Sequence, residues 1–304
     1  MCYLQLKKYD LALNDFNDAL RNNPTYTGAF VNRGNLYKRT GKKESAIADY
    51  TQALMNDSSQ LDALYNRGLL YNDLKKFDEA IIDFSKVLKQ LPQDVETFIF
   101  RGDAYTAVRK FNEAIKDYNA ALKIKPGYAI AMASRAVCYA KMGKSDLALK
   151  DFNEAVKMKA NSTYALTSRG SFYMDQGKYD LAIADFTEAL KVDSKAFDPR
   201  NNRGNAFHYT KQYELAISDY SLVILLDSSY YPAYYNRGNA HSFLDKNVEA
   251  MADYTKAISL QPSAGEIWLA RADLHSKLYN YEAALSDYEE ALHLNPADTN
   301  ALNN

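Results

Sequence analysis

Arginine and aspartate recur in this chain at intervals that suggest either a charged binding ladder or an internal one. Arginine stands at Arg33, Arg67, Arg101, Arg135, Arg169, Arg203, Arg237 and Arg271, every spacing being 34 residues. Each is followed by glycine or alanine. Aspartate keeps the same period at Asp15, Asp49, Asp83, Asp117, Asp151, Asp185, Asp219, Asp253 and Asp287. A free row of guanidinium groups would grip an acidic ligand. A row matched by carboxylates in phase would instead fix the register of the elements carrying it. The equal spacing favours the second reading, because it leaves little charge over for a ligand. Whether each pair closes within one period or across two stays open.

Other chemistry is scarce. The four histidines, His208, His241, His275 and His293, contain no pair at the i, i+4 spacing of a zinc-binding helix, and no Cys-x-x-Cys occurs. Glycine-rich phosphate loops are absent. His241 and His275 fall where other periods have Tyr37, Tyr71, Tyr105, Tyr139 and Tyr173, so they read as packed aromatic substitutes. No catalytic residue, metal site or cofactor is expected, and an enzyme within these residues is not.

Bulk properties agree. The 304 residues carry a net charge of −1 and are 47% apolar and 25% charged, an ordinary composition without the basic excess that nucleic acid or anionic membranes demand. Two cysteines, Cys2 and Cys138, make no disulfide framework, which fits a reducing compartment such as the cytoplasm. The longest aliphatic run, Leu222–Leu226, is far too short to span a bilayer. With 12 glycines and 7 prolines, helix breakers are few, so the chain should be mostly helical.

The period organises everything else. Alanine follows twelve residues after each small residue, at Ala46, Ala80, Ala114, Ala148, Ala182, Ala216, Ala250 and Ala284, with Ala12 as a ninth. Four further on stands an aromatic: Phe16, Tyr50, Phe84, Tyr118, Phe152, Phe186, Tyr220, Tyr254 and Tyr288. Proline closes several periods, at Pro24, Pro92, Pro126, Pro262 and Pro296. This pattern resembles the tetratricopeptide repeat over essentially the whole length. The resemblance implies an all-α, right-handed α-solenoid superhelix of tandem helix–turn–helix units. Its boundaries would be a partial repeat over 1–26, then repeats over 27–60, 61–94, 95–128, 129–162, 163–196, 197–230, 231–264 and 265–298, with the start of a tenth over 299–304. The truncated ends predict a window on a longer protein, or ends covered by a partner.

Counting position 1 at Thr27, Leu61, Val95, Ala129, Thr163, Phe197, Tyr231 and Gly265, the arginines fill position 7, where the family more often has leucine, and the aspartates fill position 23. The resemblance further implies that positions 2, 5, 6, 9, 12 and 13 face a concave groove that binds other proteins as an extended segment or helix. The candidate groove residues are Asn32, Asn35, Asn66, Asn202, Asn205, Asn236 and Asn239, with His208, Tyr209, Tyr235 and Phe243 on the wall. Asparagine amides can serve peptide backbone both as donor and as acceptor. Asparagine is also common at these positions in the family, and the tyrosines could equally be core.

The two-carboxylate clamp of co-chaperone repeats is not reproduced. Its places are taken by Val31, Asn35, Asn66, Glu96 and Phe100, or by Asn201, Asn205, Asn236, Glu266 and Ala270, which keep the asparagines and lack the cations. The expected function is a non-catalytic scaffold or adaptor in a larger assembly, with a cytoskeletal or ciliary one as a family-level precedent. The competing reading is the substrate-recruiting arm of a larger enzyme, such as a glycosyltransferase.

Overall fold

A computed structural model describes residues 8–158 and 162–296. Among the described residues there are seventeen α-helices and no strand. The chain divides into two compact units, Met1–Met158 and Lys159–Asn304. The first contains α1 (Tyr9–Asn22), α2 (Thr27–Arg39), α3 (Lys43–Asn56), α4 (Leu61–Asp73), α5 (Phe77–Gln90), α6 (Val95–Ala107), α7 (Phe111–Ile124), α8 (Ala129–Lys141) and α9 (Ser145–Lys157). The second contains α10 (Ser162–Asp175), α11 (Tyr179–Val192), α12 (Phe197–Tyr209), α13 (Tyr213–Leu226), α14 (Tyr231–Phe243), α15 (Asn247–Leu260), α16 (Gly265–Lys277) and α17 (Tyr281–Leu294). Cys2, the start of the partial first repeat and the six residues of a tenth lie outside the described residues.

Each unit is an all-α helical repeat solenoid. Within it, the two helices of a hairpin pack together, and the second helix of one hairpin packs on the first helix of the next. First helices of adjacent hairpins also meet, which gives each unit a face built from first helices alone.

Small residues set the spacing. The alanines at position 20 are all at most 3% exposed. The ring at position 24 lies against position 8 of its own hairpin: a methyl group added to Gly170 would stand 2.6 Å from the Phe186 ring. Only a side chain of minimal size lets the ring seat there without displacement.

The turn is the same in all eight full hairpins. Position 15 adopts the left-handed conformation, with glycine at Gly41, Gly143 and Gly177 and with Lys75, Arg109, Lys211, Asp245 and Tyr279 elsewhere, at φ of 56–62° for these five. The next amide then bonds back to the carbonyl of position 11, as in Lys76 N–H to Tyr71 (2.8 Å) and Gln212 N–H to Phe207 (2.8 Å). This backbone bond satisfies a carbonyl that the helix end would otherwise leave orphaned. A side chain with a Cβ pays a steric cost in that conformation that glycine does not. Lys75→Gly and Lys211→Gly should therefore each stabilise the protein by about 0.5–1 kcal/mol. Thermal unfolding of the two variants checks this, and an unchanged or lowered Tm would show the left-handed cost to be offset locally.

Candidate interaction site

The arginines of position 7 are not free to grip a ligand. Each lies on a first helix and forks onto the aspartate of position 23 in the second helix of the same hairpin. Arg169 Nε and Nη2 donate to Asp185 Oδ2 and Oδ1 at 2.7 and 2.6 Å. Arg67 meets Asp83 at 2.8 Å through both nitrogens. The same pairing joins Arg33 to Asp49, Arg101 to Asp117, Arg135 to Asp151, Arg203 to Asp219, Arg237 to Asp253 and Arg271 to Asp287.

The third nitrogen turns the other way. Nη1 donates to position 25 of the preceding hairpin: Arg67 to Thr51 (2.9 Å), Arg101 to Ser85 (2.9 Å) and Arg237 to Ser221 (2.9 Å). One guanidinium thus ties three helices, and the pairs close within a repeat while the arginine also reaches across. Ring faces complete the enclosure, with the Arg271 guanidinium carbon 5.1 Å from the Trp268 ring centre and that of Arg101 within 6 Å of both Phe98 and Tyr105.

The aspartates of these eight pairs are buried, and the arginines keep about a fifth of their surface. Hydrogen bonds to Asp185 hold the Arg169 guanidinium above its usual value, so the charge persists. Repeat 7 adds a second cation: Arg200 Nη1 lies 3.6 Å from the same Asp219 that Arg203 forks. Breaking one half of such a pair strands a buried charge, whereas replacing both removes the problem. Asp185→Ala should therefore lower stability by about 3–5 kcal/mol, more than Arg169→Leu combined with Asp185→Leu. Equal melting temperatures for the two variants would contradict a mutual ion pair as the reason.

The asparagines of position 9 also have an internal partner, which sequence reasoning missed. The hydroxyl of the position 24 tyrosine in the same hairpin donates to them: Tyr50 to Asn35 (2.6 Å), Tyr220 to Asn205 (2.8 Å) and Tyr254 to Asn239 (2.8 Å). Tyr118 and Tyr288 donate likewise to Asp103 and Asp273, both at 2.7 Å. Where position 24 is phenylalanine, at Phe84, Phe152 and Phe186, position 9 is Leu69, Val137 and Ser171. The correlation holds across all eight full repeats and was visible in the sequence. A buried hydroxyl needs an acceptor, and position 9 supplies an amide or carboxylate wherever position 24 carries that hydroxyl. Asp103 meets solvent on one side, yet the crowding of the surrounding protein pushes its carboxyl up to about 6.

Asn205→Leu should thus cost about 1–3 kcal/mol by orphaning the buried Tyr220 hydroxyl. Adding Tyr220→Phe, which copies the Leu69/Phe84 pair of repeat 3, should recover most of it. Chemical denaturation of the single and double variants checks this, and identical losses would mean that the hydroxyl does not need its acceptor.

The remaining groove candidates divide between the units. In the first, Asn66 is committed: Lys38 Nζ donates to its Oδ1 (2.8 Å), and its Nδ2 donates to the Asp62 carbonyl (2.9 Å). Asn32 is half-buried on α2. In the second, Asn205, His208, Tyr209, Tyr235, Asn236 and Asn239 line one hollow of about 430 Å³ with Met174 and Tyr220. Asn236 Nδ2 donates to Asn205 Oδ1 (3.2 Å), and Asn202 Nδ2 donates to Ser171 Oγ (3.4 Å). Asn239 is shared with a second hollow of about 210 Å³ that Phe243, Ser242 and Asp273 help to line.

Aromatic stacks form the rim. Tyr209 stacks on Tyr179 (5.0 Å, 7°) and Phe243 on Tyr213 (4.9 Å, 2°), with His208 edge-on to both Tyr213 and Phe243. Tyr209 and Phe243 stay 61% and 63% exposed, so rings that could have been core are presented to solvent. Burial keeps His208 below the usual histidine range and so favours its neutral form.

Among the described residues no group of three or more His, Cys, Asp or Glu side chains is placed to hold a metal, and no helix is long and apolar enough to cross a membrane.

Helical hairpins stacked by a 34-residue period define a repeat-solenoid interaction protein. Tetratricopeptide repeat family models match residues 61–94 and 231–264, residues 101–164, and residues 1–26, 27–60 and 265–298, and a further TPR repeat model matches 170–210. The chain belongs to the tetratricopeptide repeat proteins. Solved structures share the fold. The APC/C hetero-tetramer Cut9-Hcn1 matches at TM-score 0.63 and 16% identity over 95% of this chain, which spans 57% of that one. A tetratricopeptide repeat protein from Parabacteroides merdae matches at 0.60 and 18% over 85% of this chain and 98% of its own. PilF of Pseudomonas aeruginosa matches at 0.61 and 18% over 69% and 95%. No curated protein matches the sequence.

Proposed function

We propose that this chain is a non-catalytic scaffold or adaptor that holds other proteins in a larger assembly by binding them along the concave faces of its units. Tetratricopeptide repeats are in general protein–protein interaction modules, and the chain carries them over most of its length. The observation that carries the reading is the convergence of amides and exposed rings on one face of the second unit. Aromatic side chains with polar tips are the usual anchors of protein interfaces. The charged ladder supports it from the other side, since its arginines are spent on internal partners and leave the face to neutral recognition.

The test is a photo-crosslinking residue placed in the hollow at Tyr235, compared with the same residue at Leu225 of α13, which is 80% exposed. Partners in cells should be trapped from Tyr235 and not from Leu225. Adducts formed equally from both positions, or only from Leu225, would reject the concave face as the binding surface.

A further inference from the structure

The hydrogen-bond state of the second unit's groove restricts what it can bind, on the basis of the concave-face reading above. An asparagine amide ordinarily offers two donors and one carbonyl oxygen with two lone pairs. Here one lone pair of Asn239 Oδ1 is filled by the Tyr254 hydroxyl, and both of those on Asn205 Oδ1 are filled, by the Tyr220 hydroxyl and by Asn236. Three of the four lone pairs on these two oxygens are therefore used internally, and the Nδ2 donors are most of what the two amides have left to offer. Two successive repeats present donors from position 9.

An ordinary extended peptide alternates N–H and C=O along each edge, so half of its groups would meet these donors unproductively. A chain rich in proline has carbonyls and no N–H. In its polyproline II form those carbonyls point outward and the backbone is already ordered, so little further entropy is lost on binding. Its rings also need flat apolar faces, and Tyr209 and Phe243 present theirs beside the donors. No Lys, Arg, Asp or Glu lines the larger hollow, so neither an acidic nor a basic segment has a counter-charge there.

We infer that the concave face of the second unit, between α10 and α16, binds a proline-rich segment in the polyproline II conformation, with Asn205 and Asn239 donating to its carbonyls and Tyr209 and Phe243 packing on its rings. Tyr220 and Tyr254 are positioning residues: at most 2% exposed at the floor of the hollows, they act on the ligand chiefly through the asparagines they hold.

Fluorescence polarisation of the full chain with a labelled decaproline and a labelled (Gly-Ser)5 peptide tests this. Decaproline should bind at least about tenfold more tightly than (Gly-Ser)5. The pair Asn205→Leu/Tyr220→Phe, which reproduces the natural Leu69/Phe84 combination, should erase that preference, as should the exposed pair Tyr209→Ala/Phe243→Ala. Tyr220→Phe alone should weaken decaproline and leave (Gly-Ser)5 unchanged, a selectivity loss that a merely structural role would not produce. Asn35→Leu/Tyr50→Phe in the first unit should change neither.

Equal affinity for the two peptides, or no decaproline binding below about 1 mM, overturns the inference. Concave crosslinks to partners without proline-rich segments would also overturn it while leaving the scaffold reading intact. Crosslinks from Leu225 instead would remove the scaffold reading itself.

Discussion

The forked Arg–Asp pair is the constraint on which the rest of the structure depends. It places a cation on the first helix of a hairpin and an anion on the second, and removes the aspartate almost wholly from water. Desolvation offsets much of the attraction, so the pair is a poor source of net stability. What it does is forbid other registers. A one-residue slip between the helices would separate two parallel hydrogen bonds and leave a buried carboxylate with no partner. The alanines at position 20 and the close contact at position 8 would tolerate small rotations, and the bidentate pair does not.

That fixed register makes the groove predictable from the core. With position 7 locked to position 23, position 9 comes level with the hydroxyl of position 24, and within each unit the first helices present the same positions to one face. One of the bonds that orient Asn205 thus comes from Tyr220, a side chain only 1% exposed. Three repeats dispense with the device, having phenylalanine in the core and no amide above it, so the pattern of polar and apolar floor along a unit follows the Tyr or Phe choice at position 24.

Much of this was legible in the sequence. The period, the small residues and the matched charges stand in plain view, because a solenoid repeats its physics as often as its residues. The direction of Nη1 was not legible: Thr51, Ser85 and Ser221 read as ordinary polar positions until the preceding hairpin is brought beside them. The hydroxyl bonds to the asparagines were not legible either. Tyr220 donates to Asn205 and Tyr254 to Asn239, and amide and hydroxyl meet only after the hairpin closes. Lys75, Arg109, Lys211, Asp245 and Tyr279 gave no sign of a left-handed backbone, because the turn's own hydrogen bond imposes that conformation on whatever residue stands there.

The backward reach of each arginine gives the array a polarity along its axis. If the hairpin on the C-terminal side of a given repeat detaches, it carries its own arginine away, and the hydroxyl or amide it leaves behind at position 25 is readily hydrated. If the hairpin on the N-terminal side detaches, an arginine that stays behind, still mostly enclosed, loses the partner of Nη1. Unravelling within a unit is therefore vectorial: the chain peels more easily from the C-terminal side of any run of repeats than from the N-terminal side. Repeats leaving the ribosome in order meet the same asymmetry in reverse, because each new hairpin arrives to find the docking group for its arginine already in place.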